Sequence, residues 1–86
     1  MTVAAMWEAR AADGRAAELA AWVHGTALPA LRGSAGLDRT EVLAAQGGRV
    51  LLITWWDGAP VAVADPPADL LARPVHRWEF TSQHVE

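Results

Sequence analysis

The sequence predicts an α+β fold: one antiparallel sheet with helical segments on one face, in the element order β-α-β-β-(α)-β. Three observations predict it. In the run Arg49-Val-Leu-Leu-Ile-Thr-Trp-Trp-Asp57, both alternating faces are apolar. Val50, Leu52 and Trp56 point one way with Thr54 among them, and Leu51, Ile53 and Trp55 point the other. A half-solvated strand would alternate apolar and polar residues, so this one needs cover on both sides. Upstream, Ala16, Leu19, Ala20, Val23 and Ala27 recur at helical spacing. Between the two lies Gln46-Gly47-Gly48, whose glycines supply the positive φ angles of a tight hairpin.

Thr2 to Arg10 reads as the first strand, with Val3, Ala5, Trp7 and Ala9 on one face and Met6, Glu8 and Arg10 on the other. Ala11-Ala12-Asp13-Gly14 is a turn, with Asp13 placed to cap the helix that starts near Arg15. Gly25 and Pro29 weaken the later turns, so the helix is expected to end or kink before Pro29. After the Arg32 to Gly36 loop, Leu37 to Ala45 is a second strand of mixed polarity and Arg49 to Trp56 the third. Asp57-Gly-Ala-Pro60 breaks the chain. Pro66 and Pro67 exclude a helix through themselves, but Pro67 suits the first turn of a short one over Ala68 to Ala72, with Asp65 near its start. The last strand begins at Val75 or Arg77 and carries Trp78 and Phe80 on one face. This is the ferredoxin-like order of elements, in a single domain spanning 1–86.

Length and composition bound the rest. With 86 residues the attainable core is modest, and association is a common remedy. The helices can cover one sheet face, and a second copy of the same sheet is the simplest cover for the other, which predicts a homodimer through the sheet face. Each Trp or Leu buried there would contribute roughly 1.5–3 kcal/mol. Cysteine is absent, which excludes disulfides, thiolate metal sites and thiol nucleophiles. The formal charge is −3 and the seven arginines are scattered, which argues against a nucleic-acid partner. No apolar run approaches bilayer length, and no basic segment opens the chain, so a cytoplasmic protein without membrane association is expected. Lysine, asparagine and tyrosine are missing while alanine and arginine abound, as in high-GC bacterial coding. Any site must therefore work without a lysine Schiff base, a tyrosine acid or an asparagine donor.

The layout, the size and the strand end Thr54-Trp55-Trp56-Asp57 resemble the antibiotic-biosynthesis monooxygenase family of the dimeric α+β barrel superfamily. That family commonly ends this strand with Trp and an acidic residue, here Trp56-Asp57, and carries a downstream small residue or Pro followed by His, here within Arg73-Pro74-Val75-His76-Arg77-Trp78. The Asp13-Gly14-Arg15 turn also fits. The resemblance implies a homodimer of face-to-face sheets, with a cavity between sheet and helices in each protomer. It implies oxygenation of aromatic intermediates without metal or flavin, or haem binding and degradation. The haem-degrading branch uses an Asn near the end of its first strand, and this chain has none, which argues against that activity. The second helix, interrupted by Pro66 and Pro67, departs from the family and leaves the shape of the cavity open.

Two functions from different classes follow from the resemblance. One is a cofactor-independent monooxygenase or cyclase-like protein acting on an aromatic natural-product intermediate. The other is a non-catalytic dimeric module that binds a ligand or a protein. In the first, Trp56 stacks on a flat substrate, Thr54 and Leu52 floor the cavity, and Leu19 and Val23 belong to its helical wall. His76 then serves as general base near neutral pH. In the second, Trp56 is core or interface packing and His76 a surface histidine. No flavin motif or metal-ligand spacing is present, and His24, His76 and His84 are too scattered to form one. Arg39, Glu41, Arg77 and Glu79 either bind an anionic substrate or form ion pairs on the sheet.

Overall fold

The computed structural model describes residues 1–86. Strands β1 (Thr2–Arg10), β2 (Leu37–Ala45), β3 (Arg49–Asp57) and β4 (His76–Thr81) form one sheet in the order β2-β3-β1-β4. All neighbours are antiparallel. This order is compatible with the ferredoxin-like plan, with the two most apolar strands at the centre and the two polar ones at the edges. The β2–β3 hairpin turns through Gly47 and Gly48 at φ of 79° and 72°. Gly36 has a different reason to be glycine. A Cβ there would lie 2.5 Å from the Asp57 carbonyl oxygen, and the Gly36 carbonyl accepts the Asp57 N–H at 2.7 Å. That contact ties the start of β2 to the end of β3.

Of the two expectations before Pro29, an end or a kink, the helix does not end, and its regular geometry is interrupted there. Helix α1 (Ala16–Trp22) passes through a π turn over Val23–Ala27 into α2 (Leu28–Leu31), so Pro29 does not end it. Pro29 cannot donate to the carbonyl four residues back, and the wider π turn absorbs the missing bond. The buried residues Leu19, Val23, Ala27 and Leu31 are spaced by four. On a regular α-helix such a stripe drifts by roughly 40° per step. The π turn takes up part of that drift and keeps the stripe on the sheet. Asp13 is not the cap. Arg15 occupies the N-cap position without a capping bond, and its guanidinium instead binds Glu18 at 2.8 Å and Asp69 at 3.1 Å. Ala16, expected in the apolar stripe, is exposed in the first turn. The expected second helix is a single 3-10 turn, Ala68–Leu70.

The two faces of the sheet have different fates. Val3, Trp7 and Ala9 of β1, with Val50, Leu52, Thr54 and Trp56 of β3, are buried under the helical layer. Trp7 pairs across the strands with Leu52, and Val3 with Trp56. The Trp7 and Trp22 rings stack at 6.0 Å between centroids. No helix or strand covers the opposite face, although the Arg39 guanidinium lies over the Trp55 ring, 4.7 Å from its centroid. The register puts Met6, Leu43, Leu51, Ile53, Trp55, Trp78 and Phe80 on it, and Phe80 remains 55% exposed.

Candidate functional site

Both halves of the sheet need cover on the helical side, and the chain supplies it unequally. The α1–α2 layer supplies the buried residues Leu19, Val23 and Leu31 that pack on Leu52 and Trp56. Toward β4, where a second helix would lie, Pro66 and Pro67 leave only the 3-10 turn and an irregular segment. A cavity of about 110 Å³ remains there, lined among others by Ala5, Trp7, Thr54, Val61, Val63 and Glu79. Ligand pockets for drug-sized molecules usually hold about 300–1,000 Å³. A cavity near 150 Å³ in another protein is roughly enough for benzene. At about 110 Å³ the space falls short of that, so one aromatic ring needs the segment over it to give slightly and a polycyclic guest needs it to move.

The polar side chains in this wall belong to Thr54, Arg77 and Glu79. The Trp56 indole N–H donates to Thr54 Oγ1 at 2.7 Å, and Thr54 Oγ1 reaches the Ala5 carbonyl at 3.4 Å. Trp7, in contrast, carries a buried indole N–H with no acceptor. An unmet buried donor costs about 1–3 kcal/mol. Native structures rarely keep one without a reason.

A second polar cluster sits on the other face. Glu8, only 6% exposed, receives hydrogen bonds from Arg49 and Arg73. His76 Nδ1 lies 3.7 Å from its carboxylate, with the imidazole edge-on to Trp78. Hydrogen bonds from Arg49 and then Arg73 hold the Glu8 carboxyl below the usual carboxylate range, against the opposing effect of burial. The cover over Glu8 is arginine side chain, half-exposed in the case of Arg49, so the carboxylate is shielded but shallow. A carboxyl with a depressed native pKa adds stability above its unfolded value and loses it as pH falls through the native one. Acid should therefore erode this contribution from roughly pH 4.3 downward. Glu8→Gln is expected to cost about 1–2 kcal/mol at neutral pH, discounted for the solvent open to both guanidiniums. It should also flatten the acid limb of stability against pH. Urea unfolding of both proteins across the acid range checks this, and parallel curves would contradict it.

The structure redistributes the residues singled out in the sequence. Trp56 and His76, expected at one cavity, lie on opposite faces of the sheet, because His76 pairs with the outward Glu8 whereas Trp56 pairs with the inward Val3. Trp56 is fully buried in the core, and Leu52, Leu19 and Val23 are core with it, so none of these lines the cavity. Thr54 does line it. His24 is exposed in the π turn, and His84 lies in the tail beside Glu86. Arg39 and Glu41 pair with each other on the open face while Arg77 and Glu79 belong to the cavity wall, so the four form no common anion site. Trp7 was missed as a site residue. Its face was legible, but its unpaired N–H depends on three-dimensional packing.

No group of three or more His, Asp or Glu side chains converges as a metal site, and no helix is long and apolar enough to cross a membrane. No family model and no curated protein matches the chain. A solved structure, that of Rv0793 from Mycobacterium tuberculosis, matches with a TM-score of 0.75 over 99% of this chain and 98% of that one, at 18% identity. That likeness shows a shared α+β fold.

Proposed function

We propose that the chain is a homodimeric binding module of the dimeric α+β barrel kind, each protomer holding a small, mostly apolar aromatic molecule in its helix-side cavity. The observation that carries this reading is a mostly apolar cavity with Trp7 in its wall. The Trp7 indole N–H is buried without an acceptor, so a ligand oxygen that displaces its neighbours gains a donor, while the apolar wall takes the ring. The dimer is supported by the uncovered face, where Ile53, Trp55, Trp78 and Phe80 share an apolar patch flanked by the Arg39–Glu41 pair and the Glu8 cluster. An apolar centre with a polar rim is the anatomy of a protein interface.

Phenol is the simplest probe. In a ¹H–¹⁵N spectrum, phenol should move the Trp7 indole resonance, identified by its loss in Trp7→Phe. Trp7→Phe keeps an apolar wall and should weaken phenol about tenfold, the worth of one hydrogen bond to a group otherwise left unmet. No movement of any indole resonance up to the solubility limit of phenol would refute the site.

A second reading, a cofactor-independent monooxygenase or cyclase-like protein for an aromatic natural-product intermediate, has one observation in its favour: Glu79 lies in the wall of the mostly apolar cavity, with Arg77 and Thr54. There it can accept a proton from an acidic ring hydroxyl, the role that His76, on the other face, does not fill. Oxygen uptake with a phenolic substrate that is lost in Glu79→Gln would favour this reading over pure binding.

A further inference from the structure

The segment over the cavity is attached in an unusual way. Residues 59–66 make no backbone–backbone hydrogen bond, whereas Gly58 and Pro67 on either side do. Val63 packs against the core, and Pro66 is buried. The polar attachment of the segment is one side chain. Arg77 of β4 donates from Nη2 to the Val63 carbonyl at 2.8 Å and to Asp65 Oδ1 at 2.6 Å. Gly58, at φ of 99° with open space where a Cβ would lie, gives the segment a hinge at one end, and Pro66 anchors the other.

From this arrangement we propose that Arg77 latches residues 59–66 as a strap across the cavity and so governs access to it. The proposal rests on reading that cavity as the ligand site. A segment with few backbone bonds and few buried contacts opens locally at low cost. The Arg77–Asp65 pair is exposed, 44% and 68% at the two side chains, and pairs of that kind hold weakly. The strap is thus latched in the resting state but openable, and opening widens a space that is otherwise slightly short of a single ring. Arg77 also lines the cavity, so a guest that engages the guanidinium competes directly with Asp65.

Two variants test the latch. Arg77→Met keeps an apolar stem and removes both bonds. Asp65→Asn removes the ion pair, leaves the Val63 bond, and serves if Arg77→Met does not fold. Elastase, which cuts after small aliphatic residues, reports on Val61-Ala62-Val63-Ala64, with the cut site located by mass spectrometry. The expected result is about three- to tenfold faster cleavage in the strap for Arg77→Met and a smaller rise for Asp65→Asn. Backbone order parameters over 61–64 should fall toward about 0.6 or lower. Phenol association, from NMR line shapes, should quicken by the same factor as cleavage. Unchanged cleavage and order parameters in both variants would overturn the latch, as would a loosened strap with unchanged phenol association. A loosened strap in a protein that binds no phenol in either form supports the latch on the strap and removes the cavity reading instead.

Discussion

Trp56→Ala is expected to lower stability by about 3–5 kcal/mol, the usual cost of truncating a fully buried large aromatic residue. Trp56 has no exposed surface, packs in one cluster with Leu19, Val23 and Leu52, and bonds Thr54 through its indole N–H. The substitution removes the ring from the middle of that cluster and deprives Thr54 Oγ1 of a donor. Total stability at roughly 0.05–0.15 kcal/mol per residue is about 4–13 kcal/mol for this chain, so the loss is a large fraction of the whole. Chemical unfolding should show a midpoint moved far toward zero denaturant. A loss below about 1 kcal/mol would mean that the core is not organised around this residue. The same change should affect phenol binding only through folding, because Trp56 does not line the cavity.

The second large effect concerns the open face. Ile53→Glu combined with Trp78→Glu places two charges in the apolar patch, on neighbours of Met6 in the sheet register. If a second copy covers this face, each substitution strikes a desolvated contact of the kind that carries about 2 kcal/mol or more, and together they should weaken association by roughly a thousandfold. Both side chains point away from the helical core, so far-ultraviolet circular dichroism at high protein concentration should retain the α+β signature. If the double variant associates as tightly as the wild-type chain, the patch is not the interface.

Much of the fold was legible in the sequence because the central strands carry their own evidence. The doubly apolar run in β3 fixed which residues share a face, and the register confirms the division between Leu52, Thr54 and Trp56 on one side and Leu51, Ile53 and Trp55 on the other. The Gly47-Gly48 hairpin and the Trp78/Phe80 face of β4 were equally local signals. Whether the helix would end or continue at Pro29 was not legible, because proline reports on one missing bond while the π turn that accommodates it depends on packing Val23, Ala27 and Leu31 against the sheet. The site was the least legible part. Strand-end position and a downstream histidine suggested that Trp56 and His76 meet, but β4 pairs with β1 in a register that sends His76 outward beside Glu8. Alternation within β4 puts His76 on the Trp78/Phe80 face, but which side of the sheet that face joins is set by the pairing of the edge strand with β1, which its own sequence does not carry. The cavity itself arises from a missing helix, and the sequence signalled that gap through Pro66 and Pro67 without showing which side chains would border it.

The sheet is covered on one face by its own helices, and the proposed dimer covers the other with a second copy of itself. Sedimentation equilibrium of the wild-type protein at micromolar concentration tests it most directly. The account predicts a single species of twice the 9.2 kDa chain mass; a well-folded protein that stays at the mass of one chain as concentration rises would contradict it.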